Sequence, residues 1–350
     1  MTKTKNKKVA VALSGGVDSS VTALQLKNQG YEVVGITGKM VDDENFETVC
    51  KNAKKVADKL GIDHYILDLS EDFKKNIIDY FIDSYKKGET PNPCIVCNKI
   101  IKWGKILDFA VNELGCDYIA TGHYASIKEV GGQFLLYPAK DEKKDQLYYL
   151  YQLNQEQLSK TIFPLSGMKK PEIRKIAEEN DLPSKSSKES QDICFIKKPY
   201  TTKKFLLEHI NPQKGDFVLD KTGEKIGTHD GAFQYTVGQR KGIGIAYSEP
   251  LYVTNTDTKK NIVYCGVKEE LLTENLTLFD FNLHDKNFKG GECLVKIRYN
   301  MQAVKAEAEM NGDTVKICFT EPVSGVTSGQ ACVLYDINDG HLIGGCRIKL

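Results

Sequence analysis

The chain has 350 residues, 41% of them hydrophobic and 27% charged, proportions that exclude bulk disorder and suit two or three folded domains. Its 48 Lys and Arg against 47 Asp and Glu leave a net charge of +1, which excludes a bulk polycation but allows a local basic surface. No stretch approaches the roughly 18–20 apolar residues of a membrane span, and the basic but not arginine-rich start breaks at glycines too early for a signal peptide, so a bacterial cytoplasmic location is expected.

In chain order, Lys8–Leu13 reads as a short apolar strand. A glycine turn, Ser14–Ser20, follows it, and Val17–Asn28 has helical spacing that stops at Gly30. Strands at Glu32–Thr37 and His64–Leu69 alternate with helices at Asn45–Leu60 and Asp72–Lys86. Gly88–Cys97 reads as a loop with Pro91 and Pro93. A helix over Lys99–Leu114 and a strand over Asp117–Thr121 come next. This rhythm predicts a parallel α/β sheet covered on both faces. After about residue 205 the texture changes to short, glycine-flanked strands at 216–219, 262–265, 294–298, 314–319, 331–335 and 345–349. We expect an α/β domain over 1–202, a small mixed connector over 203–272 and a β-barrel over 273–350.

The sharpest local feature is Ser14-Gly15-Gly16-Val17-Asp18-Ser19-Ser20, directly after the first strand and opening the first helix. Two glycines let a ligand approach the backbone, the helix start offers free N–H groups, and Ser14 and Ser19 add hydroxyl donors. The turn suits phosphate or pyrophosphate. It is neither a Walker A loop nor GxGxxG. It resembles the SGGxDS signature of the PP-loop ATP pyrophosphatases. That resemblance implies that the turn holds the β,γ-pyrophosphate of ATP, that the α–β bond is cleaved to put AMP on a substrate oxygen, and that Asp18 helps to hold Mg²⁺.

The ten cysteines, in a chain expected to stay inside the cell, read as thiols, catalysts or metal ligands and not as a disulfide framework. Cys94 and Cys97 lie in Thr90-Pro91-Asn92-Pro93-Cys94-Ile95-Val96-Cys97, with Cys97 expected at or just before a helix start, where the dipole, Lys99 and Lys102 favour thiolate. A third thiol, Cys194, is far off in sequence. Three readings fit: a structural zinc site completed by His123, a redox or persulfide pair, and an iron–sulfur cluster on three cysteines. Cysteines 50, 116, 265, 293, 318, 332 and 346 are expected to be buried small hydrophobes.

With both motifs placed, the chain resembles the tRNA-specific 2-thiouridylase (MnmA, TrmU) family over essentially its whole length. The resemblance rests on AVALSGGVDSSV (10–21), GITGKM (35–40), TPNPCIVCNKIIKW (90–103), ATGHYA (120–125), KDQLYYLY (144–151), KSSKESQDICFI (185–196), GQRKGIGIA (238–246), Arg298-Tyr299 and SGQACVLYD (328–336). It implies adenylylation of O2 of the wobble uridine (position 34) in tRNAs for Lys, Glu and Gln, then displacement of AMP by sulfur. Cys194 would carry the sulfur as a persulfide. Cys97 would assist its release, leaving a disulfide between the two. A cysteine desulfurase or a sulfur-relay protein would be the donor.

By the same resemblance ATP lies against Ala12, Leu13, Ser14, Gly15, Gly16, Val17, Asp18, Ser19, Met40 and Gly122. Contact with tRNA falls to Asn92, Pro93, Cys94, His123, Lys144, Asp145, Gln146, Arg298, Tyr299 and Gln330. Many family members carry Asp where this chain has Cys94, a position assigned general acid/base work. A thiol there instead supplies a third ligand, with Cys97 and Cys194, for a [4Fe–4S] cluster whose open iron would hold hydrosulfide. Lysines 185, 188, 197, 198, 203, 204 and 214, against Glu189, Asp192 and Glu208, make a local basic stretch around Cys194 suited to phosphate backbone. Arg240 and Lys241 extend it. Tyr148, Tyr149 and Tyr151 are expected to be core, and Trp103 to pack the helix behind Cys97. Two further readings are a PP-loop enzyme adenylylating a small molecule and a non-catalytic tRNA-binding or iron–sulfur carrier.

Overall fold

The computed structural model describes residues 7–41, 44–187, 193–196, 199–312 and 314–350. The chain divides into two compact units, one of residues 1–77, 94–191 and 339–342, the other of 78–93, 192–338 and 343–350.

The first unit is built on a five-stranded parallel sheet of order β3-β2-β1-β4-β7, from β1 (Lys8–Ala12), β2 (Glu32–Lys39), β3 (Asp63–Asp68), β4 (Tyr118–Ala120) and β7 (Thr161–Ile162). Val9, Ala10 and Val11 of β1 are wholly buried, as a central strand covered on both faces requires. Helix α1 (Val17–Asn28) buries Val17, Ser19, Ser20, Val21, Thr22, Ala23, Leu24 and Leu26, nearly its full circumference. Helix α2 (Glu44–Leu60) is one-sided: Ala53, Val56, Ala57 and Leu60 form its buried stripe at i, i+3, i+4 and i+7. Gly30 and Gly61 follow the two helices at φ +87° and +60°, which a side chain would resist. The strand order reverses between β1 and β4. In an open parallel sheet the crevice beyond the C-terminal ends of such a strand pair is where ligands bind.

Helix α3 (70–86) is followed by α4 (93–112), whose segment Asn98–Ile106 is wound as a π-helix. The start of α4 corrects the sequence reading. Pro91 and Pro93 read as loop punctuation, yet Pro93 is the first helical residue, a position where its missing N–H is no loss. A hairpin, β5 (Ser126–Val130) with β6 (Gln133–Tyr137), and the helices α5 (Gln155–Ser159) and α6 (Lys170–Glu179) complete this unit; none of them was anticipated.

In the second unit, α7 (Thr202–Leu207) precedes a four-stranded sheet of order β10-β11-β8-β9, from β8 (Gly215–Leu219), β9 (Lys225–His229), β10 (Tyr252–Asp257) and β11 (Ile262–Gly266). A seven-stranded antiparallel sheet follows, of order β12-β16-β15-β14-β17-β18-β13. Its strands are β12 (Leu272–Phe279), β13 (Asn282–Leu283), β14 (Gly290–Lys296), β15 (Val304–Asn311), β16 (Thr314–Ser324), β17 (Ala331–Asp336) and β18 (Leu342–Arg347). Along β16, Val315, Ile317 and Phe319 point inward while Lys316, Cys318 and Thr320 face water, the alternation of a sheet with one wet face. Leu276, Val295, Ile317, Leu334 and Ile343 fill the curl of this sheet.

Candidate active site

The turn between β1 and α1 lies at the β1/β4 reversal. Gly15 has φ +71°, and a Cβ there would come within 2.8 Å of Ala53 N on α2, so its glycine is explained by the fold. Gly16 has ordinary φ and only Ser14 Oγ nearby, at 3.5 Å. Nothing in the fold demands glycine at 16, which leaves close approach of a ligand as the reason for it. Gly16, the residue just before α1, brings no side-chain cap, which leaves the first-turn N–H groups suited to an anion.

The serines differ from expectation. Ser19 Oγ donates to Gly16 O (3.1 Å) and accepts from Ser14 N–H (3.2 Å), and with its own hydrogen committed it accepts from Ser14 Oγ, also at 3.2 Å. Both hydroxyls brace the turn and are not free donors. Thr37 Oγ1 donates to Leu13 O (2.6 Å) and accepts from His64 Nε2 (2.7 Å), fixing the strand end that enters the turn. Met40, just past β2, packs beside Gly38.

Asp18 accepts from Tyr124 Oη on Oδ1 (2.8 Å) and from Lys170 Nζ on both oxygens (2.7 Å each). Oδ2 carries the Lys170 bond alone among these, so a magnesium ion that keeps most of its shell on phosphate and water fits there. Gly122 faces the same residue. A Cβ on it would come within 2.9 Å of Asp18 Cβ and 3.1 Å of Ser19 N, so packing of the turn already accounts for that glycine.

His123 is buried between Trp103 and Phe163, with ring centroids 5.4 and 6.2 Å away. Its Nδ1 is 2.7 Å from Thr121 Oγ1 and its Nε2 3.4 Å from Lys102 Nζ. Burial, then the Lys102 charge, holds its pKa well below the usual 6.5. With both nitrogens engaged beside an ammonium, it is a poor zinc ligand. Trp103 is buried as expected and donates to Thr161 Oγ1 (2.7 Å).

Cys94 is exposed and Cys97 half-buried, three residues apart and therefore on one face of α4. Because α4 starts at Pro93, Cys94 occupies the first turn and Cys97 the next, so the dipole acts on Cys94 more than on Cys97, the reverse of the expectation. Protein crowding nonetheless pushes the Cys94 thiol up, with Lys102 opposing. Cys194, in the second unit, is exposed. Its neighbours Phe195 and Ile196 are anchored in an apolar cluster with Phe81, Phe205 and Phe233. Of the other cysteines, 116, 265, 293, 332 and 346 are buried as expected. Cys50 is half-buried, and Cys318 is exposed on the wet face of β16, against expectation.

The segment entering α4 is fastened within the second unit. Thr90 N–H donates to Ser328 O (2.8 Å), and Gln330 Nε2 donates to Thr90 O (2.8 Å). Arg347 pairs with Glu89 and lies over the Tyr80 ring at 5.3 Å. Gly329 has φ +92° with Thr90 N only 2.9 Å from where a Cβ would stand. Gln330 therefore has an internal partner. So do Asp145, which accepts from Ala139 and Leu147 N–H (3.2 Å each), and Gln146, which accepts from Tyr124 N–H (3.0 Å). Lys144 and Asn92 are half-buried and Pro93 buried; Tyr148 and Tyr151 are core, and Tyr149 is half-buried. Arg298 is exposed and Tyr299 half-buried. Lysines 185, 203, 204, 214 and 241 and Arg240 are exposed, while Lys188, Glu189, Asp192, Lys197 and Lys198 lie outside the described residues. Sequence reasoning missed Lys170, Tyr124, Lys102 as the partner of His123, and Arg347.

Residues 7–198 match the family described as tRNA methyl transferase HUP domain, 203–267 the tRNA methyl transferase PRC-barrel domain and 273–348 the aminomethyltransferase beta-barrel domain. The chain is similar to the tRNA-specific 2-thiouridylase MnmA of Clostridium acetobutylicum, 42% identical over 360 residues that cover 98% of this chain and 100% of the relative. It is 43% identical over 344 residues to MnmA of Helicobacter pylori (97% and 98% covered). To MnmA 2 of Clostridium tetani it is 44% identical over 359 residues (98% and 99% covered).

Proposed function

Because the chain belongs to the tRNA-specific 2-thiouridylase family, we propose that it activates O2 of the wobble uridine in tRNAs for Lys, Glu and Gln with ATP and replaces that oxygen by sulfur drawn through its own cysteines. It is a tRNA-uridine 2-sulfurtransferase, and ATP is its activating substrate. The observation that supports this chemistry is the start of α1 without a side-chain cap, after the turn Ser14–Ser19 at the β1/β4 reversal, with Gly122 packed against Asp18. Similarity through all three parts of the chain sets aside the small-molecule and carrier readings.

The uridine O2 attacks the α-phosphorus of ATP. The bond to the bridging oxygen breaks, pyrophosphate leaves with its electron pair, and N3 gives up its proton. The turn Ser14–Ser19 holds the β,γ-phosphates, and Ala12, Leu13, Met40 and Gly122 border the nucleoside. A magnesium ion brought by the phosphates would be held in the protein by Asp18 and would offset phosphate charge. The terminal sulfur of a Cys194 persulfide then attacks C2, and AMP leaves with the oxygen. The Cys97 thiolate attacks Cys194 Sγ. The sulfur–sulfur bond breaks toward the base, which takes up a proton as 2-thiouridine, and the Cys97–Cys194 disulfide awaits an external dithiol. His123, neutral and engaged at both nitrogens, lines the base pocket and does not act as a base. Arg298, Tyr299, Arg240, Lys241 and the exposed lysines meet tRNA phosphates, and the base is flipped to reach the thiols.

Cys94 on the same helix face as Cys97 favours a second reading. Three thiolates, Cys94, Cys97 and Cys194, suit a [4Fe–4S] cluster, which would supply a site for hydrosulfide in place of the persulfide. Sulfur would come from a cysteine desulfurase or a relay protein, and the reaction would run in the bacterial cytoplasm. Among the described residues no helix is long and apolar enough to cross a membrane.

The test uses metal-free protein, Mg-ATP, a persulfide source and unmodified tRNA-Lys transcript, read by retardation on a mercury gel. A shifted band that is lost in Cys194→Ser and Cys97→Ser but kept in Cys94→Ser supports the persulfide route. A band that appears only after anaerobic iron–sulfur reconstitution and needs Cys94 supports the cluster. No band in either state overturns the thiolation reading.

A further inference from the structure

Lys170 is 8% exposed and is the first residue of α6. A cation is disfavoured there by the helix dipole, and a buried ion pair adds little to stability. Its partner does not need it either: Asp18 sits in the first turn of α1, where a carboxylate is already favoured, and accepts from Tyr124. Yet the position is tightly built. Lys170 N–H donates to Asp141 Oδ2 (2.8 Å), and Nζ grips both Asp18 oxygens (2.7 Å each). Asp18 is the one charged residue of the turn 14–20. Unpaired, its carboxylate would repel the phosphates that the neighbouring N–H groups are arranged to hold. Paired, it holds an ammonium next to them.

Resting on the reading that this turn takes the β,γ-phosphates of ATP, we infer that Lys170 is the fixed cation of the pyrophosphate site and Asp18 its positioning residue. As the α-phosphorus–oxygen bond breaks, the departing pyrophosphate takes the electron pair, and Lys170 meets that added charge without reorganising.

The experiment measures binding of inorganic pyrophosphate and, separately, AMP to the full chain by calorimetry in the wild type, Lys170→Met, Asp18→Asn and the double variant. AMP lacks the two phosphates in question and serves as the internal control. The expected result is at least tenfold weaker pyrophosphate binding in Lys170→Met with AMP binding kept. In the double variant, which removes the buried ammonium together with its half-buried partner and so leaves neither charge unpaired, a further loss of at least fivefold beyond Asp18→Asn is expected. Equal affinities of Asp18→Asn and the double variant would overturn the proposal, since Lys170 would then act only through Asp18. Equal loss of pyrophosphate and AMP would also overturn it, as a mere structural effect. A wild type that binds AMP but no pyrophosphate would overturn it together with the ATP reading of the turn.

Discussion

The ammonium of Lys102 stands 3.4 Å from Nε2 of His123, while Thr121 Oγ1 stands 2.7 Å from Nδ1. An ammonium can only donate, so Nε2 accepts and the ring proton sits on Nδ1, directed at Thr121. The geometry assigns a neutral imidazole of one tautomer. Burial and then Lys102 hold its pKa well below 6.5. In a nitrogen-detected NMR titration the His123 midpoint is expected well below 6.5, and Lys102→Met is expected to move it upward without restoring the ordinary value. A His123 that titrates near 6.5 in the wild type would contradict this.

The same burial lowers the pKa of His64 and His229. For all three the unfolded chain binds a proton more readily than the folded one. Their contribution to stability is therefore complete above the unfolded value of about 6.5 and is lost as pH falls toward the folded values. The melting temperature is expected to rise between pH 5 and pH 7. A flat profile over that interval would show that these histidines do not govern acid stability.

Gly122→Ala should damage the phosphate turn from across the crevice. Its Cβ would stand 2.9 Å from Asp18 Cβ and 3.0 Å from Asp18 C, both within the tightly packed start of α1. Overpacking of this kind costs about 1–3 kcal/mol, and the turn must shift to relieve it. ATP affinity should fall about tenfold with a measurable drop in melting temperature. Gly167→Ala, with nothing within 4 Å, is the matched control and should change neither.

Arg347→Met tests how the segment before α4 is held. Arg347 pairs with Glu89, reaches Ser84 Oγ (3.4 Å) and covers Tyr80. Both partners of the ion pair are about one-quarter to one-third exposed, so the loss is set below that of a fully buried pair, at about 1–3 kcal/mol in urea denaturation. Limited proteolysis should cut within 88–92 faster in the variant. Unchanged cleavage would mean that Thr90, Ser328 and Gln330 hold the segment unaided.

The parallel core and the phosphate turn were legible because their signals are local: three consecutive buried residues in β1, glycines at helix ends, and Ser-Gly-Gly at a strand–helix junction. The start of α4 was misread because Pro91 and Pro93 serve equally as loop punctuation and as a helix opening, and only the backbone that follows decides between them. The serine hydroxyls of the turn were read as donors to a ligand because a sequence cannot show that Gly16 O and Ser19 Oγ take both hydrogens. Lys170 lies 152 positions from Asp18 and belongs to no motif. The one local clue was a lysine directly before proline at a helix start, where an acidic residue is the usual choice. Cys318 shows the opposite error: an apolar-looking strand position that the two-residue period turns to water.

Thiol labelling separates the working cysteines from the structural ones. Burial pushes Cys116 and Cys265 to about 11 and Cys293 and Cys346 to about 12. Cys332 is raised well above its usual value by burial, with Cys346 and Cys293 adding to it. These five are buried protonated thiols and should resist iodoacetamide at pH 7.5 until the protein is denatured. Cys94, Cys194 and Cys318 are exposed and should label in the native state. Because Cys94 is pushed up, its labelling should accelerate nearly tenfold per pH unit from pH 7 to 8.5, the slope of a thiol still below its pKa. Peptide mass spectrometry after timed labelling gives each rate. Modification of Cys318 should leave thiolation intact, whereas modification of Cys194 should abolish it. Fast native labelling of Cys293 or Cys332 would show that the antiparallel sheet opens far more readily than its packed interior implies.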